Sequence, residues 1–305
     1  MKRFIQPVAV FLCGIMAAGV LPGRMAPVSS ADRAPKKDGN IVMPYQWKVP
    51  RLPETMSFAG EKVPLDRREI REAFDRELLF NYYQQQNILY MLKLANRYFP
   101  MIEARLKANG VPEDFKYLCV AESNIQNLTS RAGAKGFWQF MPGTAPAYEL
   151  EISNDVDERF HPGKSTDAAC VYLKQAYRKF GSWTAAAASY NCGIGGYNAQ
   201  AAFQGTRQYY DLMLPEETNR YIFRILSFKQ LLGNPQQMGY ALEEEDLYAP
   251  VDTREVKVTS SIPDLAVFAR QQGTNYKMLK LLNPWLRSSK LAVKPGKTYV
   301  IELPE

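Results

Sequence analysis

A glutamate on an otherwise apolar helix face is the residue best placed to do chemistry. Three apolar residues and this glutamate are spaced i, i+3, i+4 and i+7 along a predicted helix: Phe115, Leu118, Cys119 and Glu122. Burial disfavours the charged form of a carboxylate and raises its pKa, which suits a general acid near neutral pH. The same spacing fits a glutamate that ends the buried stripe and reaches solvent. Spacing alone leaves both interpretations open.

Two clusters that combine polar and aromatic side chains follow this glutamate. Gln139 is an amide beside the large side chains of Phe140 and Met141, and Tyr190 and Asn191 lie just before a glycine-rich turn. Amides and phenols beside aromatic rings suit sugar binding, because they pair with hydroxyl groups while the rings cover apolar sugar faces. Each cluster is also consistent with ordinary packing next to a turn. The glycine run lacks the Lys-Ser/Thr ending of a phosphate-binding loop.

The periodicity of the chain predicts six helices that position these residues. Their expected ranges are 66–109, a helix from 112, 138–148, 166–180, 183–190 and 216–232. Residues 32–75 read as a proline-rich linker or strap with a leading helix. We therefore expect a mainly α protein whose compact helical domain covers residues 76–235.

The composition changes after this domain. A linker over 236–253 precedes a strand at 254–259, a helix opened by Ser261 or Pro263, a helix at 276–282 and a strand at 298–303. The order strand–helix–helix–strand predicts a small α/β module over residues 254–304.

The N-terminus has the three parts of a secretory signal peptide. A basic start and an apolar run from Val8 to Leu21 are followed by small residues up to Ala31. Residues 1–31 therefore predict export to the periplasm or cell envelope, and their basic and apolar character also allows membrane association through the N-terminus. Beyond this segment, no stretch is long and apolar enough to cross a membrane.

Composition narrows the classes of partner and cofactor. The formal net charge of +7 favours an acidic partner, but the 38 Lys and Arg residues are spread along the chain, which argues against a nucleic-acid binder. His161 is the single histidine and has no adjacent acid, so no metal site is expected. Three cysteines would remain after cleavage, which fits small buried thiols rather than a disulfide framework. We expect no cofactor and a monomer.

Five segments, taken together and in order, resemble the lytic transglycosylases of the goose-lysozyme-like fold, especially the membrane-bound lytic murein transglycosylase D group. They are residues 110–123, 136–145, 156–169, 189–191 and 217–221. The resemblance covers residues 76–235 and implies a lysozyme-like helical catalytic domain that acts on peptidoglycan glycan strands. Ser189 and Cys192 stand where the family usually has alanine, and His161 where it usually has aspartate.

The resemblance also implies roles for individual residues. Glu122 would be the catalytic acid/base. The residues implied to bind substrate in the groove are Ser123, Gln139, Phe140, Met141, Tyr190, Asn191, Glu217 and Tyr221. Cleavage of the β-1,4 bond between N-acetylmuramic acid (MurNAc) and N-acetylglucosamine (GlcNAc) would then form 1,6-anhydro-MurNAc ends.

Two other functions remain open at this point. A hydrolytic muramidase needs a second carboxylate, for which Asp155, Asp157 and Glu158 are candidates. A non-catalytic peptidoglycan-binding protein would keep the helical domain as a scaffold. The tail resembles a LysM module, but Thr259-Ser260-Ser261 stands where Gly-Asp-Thr is usual. A sugar-binding tail and a merely structural tail both remain open.

Overall fold

The computed structural model describes residues 48–305, and this part of the chain is mainly helical, as predicted. Its α-helices are α1 (Arg68–Tyr82), α2 (Gln85–Ala108), α3 (Phe115–Ser123), α4 (Pro162–Phe180), α5 (Trp183–Gln204), α6 (Glu216–Gly233), α7 (Leu265–Gln271) and α8 (Tyr276–Leu282). Single 3-10 turns occur at Ala145–Tyr148, Glu158–Phe160, Tyr209–Asp211 and Glu244–Asp246. The predicted signal peptide and the start of the linker lie outside the described residues.

The end of the proline-rich segment is a strap packed on the helical domain. It forms a short antiparallel hairpin of β1 (Ser57–Phe58) and β2 (Glu61–Lys62), and Phe58 is completely buried. The Glu61 carboxylate accepts hydrogen bonds from the backbone N–H groups of Trp183 at 2.6 Å and Thr184 at 2.9 Å. An acid at this place stabilises the N-terminus of α5, where unpaired N–H groups and the helix dipole favour negative charge.

The first predicted helix is two helices. The chain leaves the helical conformation at Gln84, whose ψ is 51°, and α1 begins at Arg68 rather than directly after Asp66. In α1, Asn81 donates to the hydroxyl of Ser227 in α6 at 2.7 Å. The sequence has no glycine or proline at the break, so local pattern does not reveal it. Pro100, by contrast, lies inside α2 without ending it.

The helix predicted over 138–148 is wrong, except for its last 3-10 turn. Residues 133–144 form an irregular loop, in which Gly136 has φ 80° and Gln139 has φ 49°. These left-handed conformations, together with Pro142, are incompatible with a continuous right-handed helix. The Trp138 indole N–H donates to the Thr166 hydroxyl at 2.9 Å, which fastens the loop to α4.

Two further helix boundaries differ from prediction. α4 begins at Pro162, which suits a first helical position, and Ser165 lies inside the helix rather than at its cap. α5 is capped by Ser182 as predicted, but it continues past Tyr190 and across a kink at Gly193, whose φ and ψ are 78° and 147°.

The C-terminal module has the predicted order strand–helix–helix–strand. β3 (Thr253–Val258) pairs antiparallel with β4 (Tyr299–Pro304), with Val256 opposite Ile301. Asp264, rather than Ser261 or Pro263, caps α7 through hydrogen bonds from the backbone N–H groups of its first turn. The apolar residues of the module form a second small hydrophobic core, which also includes Val156 and Phe160 of the helical domain.

Candidate active site

Glu122 lies in the last turn of α3. Its three apolar neighbours on the helix face are completely buried, whereas Glu122 is partly buried. The helix ends one residue later, and Asn124 adopts a left-handed conformation with φ 53°. Glu122 therefore combines a largely desolvated carboxylate with access from the surface.

The environment of Glu122 makes it a weak acid. Burial raises its pKa to about 7, because desolvation penalises the charged carboxylate. The hydroxyl of Tyr221 donates a hydrogen bond to this carboxylate, which lowers the pKa, as does the positive charge of Arg224. The negative charge of Glu217 raises it. Near neutral pH both protonation states are populated, so a single residue can give a proton and later take one back.

One face of α6 carries the polar residues that act on Glu122. Glu217, Tyr221 and Arg224 follow one another at helical spacing, i, i+4 and i+7. Glu217 is exposed, and Tyr221 is only 2% exposed. Arg224 is not among the site residues predicted from the sequence, although it lies on the same helix face as Glu217 and Tyr221.

A buried glutamate in α1, Glu77, pairs with two arginines of α6, Arg220 and Arg224. Glu77 is 2% exposed and lies 2.6 Å from the Nε atom of Arg220 and 3.8 Å from that of Arg224. A buried carboxylate needs such partners, because an unpaired one is costly. Nothing in the sequence pattern of α1 pointed to this role for Glu77.

An aromatic cluster lies next to the Glu122–Tyr221 pair. The Tyr190 hydroxyl donates to the backbone carbonyl of Trp138 at 2.8 Å, and the Tyr190 ring lies 5.0 Å from Tyr172 and 6.2 Å from Phe140. Tyr148 extends the cluster, since its ring lies 5.6 Å from that of Tyr172. The sequence predicted Tyr190 and Phe140 but not Tyr148 or Tyr172. Phe140 and Tyr172 are buried, so the partly exposed rings of Tyr148 and Tyr190 are the ones that can cover an apolar face of a sugar.

The loop of residues 133–141 carries three of the predicted substrate-binding residues, and their side chains differ in exposure to solvent. The Gln139 amide donates to the carbonyls of Gly136 at 2.8 Å and Leu128 at 3.3 Å, and its side chain stays partly exposed. Met141 is 40% exposed, whereas Phe140 is only 4% exposed. Gln139 and Met141 are therefore accessible to a ligand, while Phe140 supports the ring cluster from within.

Two of the remaining predicted residues are held in internal hydrogen bonds. Ser123 is 3% exposed, and its hydroxyl donates to the Phe137 carbonyl at 2.8 Å. This contact fastens the end of α3 to the loop that bears Gln139. The Asn191 carbonyl oxygen accepts a hydrogen bond from the Thr218 hydroxyl at 2.7 Å, which joins α5 to α6.

The acids proposed from sequence for a hydrolytic mechanism have other partners. Asp155 accepts a hydrogen bond from Ser288 at 2.7 Å, Asp157 pairs with Arg159 at 2.8 Å, and Glu158 pairs with Lys164. The charges that shift the pKa of Glu122 come from Arg224 and Glu217 instead.

Within residues 48–305 no group of three or more His, Cys, Asp or Glu residues could hold a metal ion. No helix in the same range is long and apolar enough to cross a bilayer. The thiols in this range, Cys119, Cys170 and Cys192, are free, and burial raises the pKa of each one.

Removal of the Tyr221 hydroxyl should change the pH dependence of any reaction that needs protonated Glu122. In Tyr221→Phe the carboxylate loses a hydrogen bond that favours its charged form, so its pKa rises further. The fall in kcat/KM above neutral pH should then move upward by about one pH unit. The pH profile of kcat/KM measures this shift.

Tyr190→Phe is the matched control, because its hydroxyl donates to a backbone carbonyl and not to Glu122. It should leave the position of the alkaline limb unchanged. If kcat/KM falls at the same alkaline pH in Tyr221→Phe and in the unchanged protein, the Tyr221 hydroxyl does not affect the pKa of Glu122.

Two parts of the chain match known protein families. Residues 99–213 match the family described as Transglycosylase SLT domain, and residues 254–305 match the family described as Soluble lytic transglycosylase C-terminal LysM-like domain. These matches confirm the resemblance carried by the sequence motifs.

Two curated proteins, from Escherichia coli strain K12 and from Escherichia coli O6:H1, are both named membrane-bound lytic murein transglycosylase D. Each is 28% identical over 233 residues, which is 74% of this chain and 51% of the relative. The chain therefore spans about half the length of the curated relatives it matches.

Among solved structures, an inactive mutant of the lytic transglycosylase Slt from Pseudomonas aeruginosa matches with a TM-score of 0.39 and 20% identity. The match covers 50% of this chain and 26% of that one.

Proposed function

Because the chain carries a transglycosylase SLT domain followed by a C-terminal LysM-like domain, we propose that it is a peptidoglycan lytic transglycosylase. Its substrate would be the glycan strand, and the bond cut would be the β-1,4 link between MurNAc and GlcNAc. The observation that carries this proposal is Glu122, a carboxyl at the surface end of a buried helix with a pKa raised to about 7. The relatives named as lytic murein transglycosylases support the same chemistry.

In the first step Glu122 acts as the acid. Its proton passes to the glycosidic oxygen that leaves MurNAc, and the bond from that oxygen to the anomeric carbon breaks. The acetamido oxygen of the same sugar stabilises the cationic ring carbon. General acid catalysis of this kind contributes on the order of 10²–10⁴-fold in rate. Tyr221 then stabilises the new Glu122 carboxylate through its hydrogen bond.

In the second step the Glu122 carboxylate acts as the base. It takes the proton from the 6-hydroxyl of the same MurNAc, whose oxygen bonds to the anomeric carbon and closes the 1,6-anhydro ring. Glu122 regains its proton, and no water is consumed, so the reaction is that of a lyase. A well-oriented intramolecular hydroxyl has an effective molarity on the order of 10⁵ M or more, which favours it over solvent water.

The alternative is a hydrolytic muramidase, and the position of Glu217 favours it. Glu217 is exposed on the α6 face next to Tyr221, and its charge reaches Glu122. A carboxylate there could hold a water molecule against the anomeric carbon, as inverting glycosidases do. A non-catalytic binding protein, by contrast, has no need of a carboxyl with a raised pKa.

Digestion of purified peptidoglycan in oxygen-18 water distinguishes these reactions. We expect new muramic-acid ends that are 1,6-anhydro, one water lighter than hydrolytic ends, and without label in the mass spectrum. Reducing ends that carry oxygen-18 would mean hydrolysis. Glu217 would then be the candidate for the second carboxylate. Intact glycan would support the non-catalytic alternative.

The chemistry of the substrate sets the place where this protein acts. Peptidoglycan lies in the cell envelope, so we place the activity in the periplasm or at the envelope surface. Attachment to a membrane through the N-terminus and a monomeric state are parts of the same proposal. Membrane fractionation and light scattering of the purified full chain test them.

A further inference from the structure

The C-terminal module is joined to the helical domain by main-chain hydrogen bonds as well as by the linker. They involve residues 151–161, which we call the docking segment. The backbone N–H of Asp157 donates to the carbonyl of Trp285 at 2.9 Å, and that of Arg287 donates to the carbonyl of Asp155 at 2.7 Å. Backbone pairing of this kind is typical of an internal packing surface rather than of a flexible attachment.

Side chains of the docking segment extend this contact. The Asp155 carboxylate is buried and accepts hydrogen bonds from the Ser288 hydroxyl at 2.7 Å and from the Ala292 backbone N–H at 3.0 Å. The Glu151 carboxylate accepts a hydrogen bond from the Tyr299 hydroxyl at 3.0 Å. Both acids belong to the helical domain, and all three donors belong to the module.

Apolar side chains of the docking segment complete the core of the module. Val156 is 1% exposed and Phe160 is 4% exposed, and both pack among the apolar residues of the module. The Arg287 guanidinium lies 4.3 Å from the centre of the Phe160 ring, and the Trp285 ring stacks on His161 at 6.0 Å. The module therefore has no complete core without this segment.

The opposite side of the docking segment holds the loop of the candidate active site. Arg159 is 3% exposed and binds both carboxylate oxygens of Asp157, at 2.9 and 2.8 Å. Its guanidinium also donates to the carbonyls of Gly133 at 3.0 Å and Phe140 at 3.2 Å. At Gly136 a Cβ atom would lie 1.8 Å from the Arg159 carbonyl oxygen, so the two backbones are in direct contact.

We propose that the C-terminal module is a positioning element of the candidate active site. Through the docking segment it holds the Asp157–Arg159 pair, and this pair holds the loop that presents Gln139 and Met141 beside the end of α3. The loop depends on such external contacts, because its left-handed Gln139 prevents it from forming a helix of its own. The inference rests on the proposed function for its effect on catalysis, but the coupling itself is structural.

Hydrogen exchange on the full chain tests the coupling. Asp155→Ala opens the contact with the module at a site away from the catalytic residues. The backbone amides of Lys135 and Gly136, which donate to Phe140 and Leu128 at 3.1 and 3.0 Å, should then exchange about tenfold faster or more. Exchange in α6 should stay unchanged, and kcat/KM on short soluble glycan fragments should fall by about tenfold.

Two variants control for general damage. Asp264→Ala removes a carboxylate that accepts two backbone hydrogen bonds inside the module, at the cap of α7, and it should leave exchange in the loop unchanged. Asp155→Asn keeps one acceptor oxygen and should restore part of the loop protection. If Asp155→Ala does not fold, Ser288→Ala opens the same contact more gently.

The proposal is overturned if the amides of Asp157 and Arg287 exchange faster while those of Lys135 and Gly136 do not. The module would then be attached to the docking segment without acting on the loop. If the unchanged protein cleaves no glycan, the proposed function fails, and the exchange rates of Lys135 and Gly136 still support or overturn the coupling.

Discussion

Glu122→Gln is expected to lower the rate of glycan cleavage by about a thousandfold or more, because glutamine can neither give nor take the proton in either step. The substitution keeps the shape of the side chain and an oxygen that can accept the hydrogen bond from Tyr221. The fold should therefore survive. Release of anhydro-muropeptides, followed by mass spectrometry, measures the loss.

The same substitution should stabilise the protein at alkaline pH. The pKa of Glu122 rises from an ordinary 4.5 to about 7 in the fold. A carboxyl with a raised pKa contributes stability that is complete below pH 4.5 and is lost as the pH rises through 7. Glutamine has no charge to bury, so above pH 7 the variant should gain up to about 3 kcal/mol relative to the unchanged protein.

Urea unfolding at pH 4, 6 and 8 measures this gain, and Glu113→Gln is the matched control. Glu113 is an exposed glutamate just before α3 and pairs with Lys116. It should show little change in cleavage and no gain in stability with pH. Full cleavage by Glu122→Gln would remove Glu122 from the mechanism. If the difference in unfolding free energy between Glu122→Gln and the unchanged protein does not grow with pH, Glu122 is not a buried acid.

Arg159→Met should have the largest effect on stability among the residues that support the site. It leaves the Asp157 carboxylate, 3% exposed, without its bidentate partner and removes the donor to two loop carbonyls. Loss of one partner from a buried ion pair costs about 3–5 kcal/mol. Burial acts to raise the pKa of Asp157, but Arg159 and Lys135 outweigh it and hold the pKa below its ordinary value.

The effect of Arg159→Met should therefore depend on pH. Because the pair stabilises the ionised carboxylate, the deficit should be complete above pH 3.8 and shrink as the pH falls below it. Lys135→Met is the control, since Lys135 also contacts Asp157, at 3.2 Å, but is partly exposed. It should cost less than about 1 kcal/mol. If the two variants lose similar amounts of unfolding free energy, Arg159 is not the main partner of the Asp157 carboxylate.

Local pattern predicted those elements whose apolar periodicity lies within the element itself. α6 and α8 were predicted within one residue, because their apolar residues follow a 3.6-residue period. The strand–helix–helix–strand order of the module was also predicted from local signals, with alternating apolar residues marking the first strand and a turn preceding the last. Local pattern allows either a linker or a strap before α1, and the buried side chain of Phe58 shows that the end of this segment belongs to the folded domain.

Elements shaped by distant contacts were predicted poorly. The break between α1 and α2 has no sequence signal, and most of the helix predicted over 138–148 is instead part of the irregular loop over 133–144. That loop is held by Ser123, Tyr190 and Arg159, which come from three other parts of the chain. The contact between the module and the docking segment likewise joins residues far apart in sequence.

For the candidate site, the sequence by itself determined which residue to consider. Glu122 stands out because residues at i, i+3, i+4 and i+7 share a helix face, and this is a local property of the chain. Only the tertiary structure decided the pKa of that residue, because burial, Tyr221 and Arg224 set it together and Tyr221 lies 99 positions further along the chain. Desolvation and charge act through space, and a linear pattern does not specify which distant side chains converge on one carboxylate.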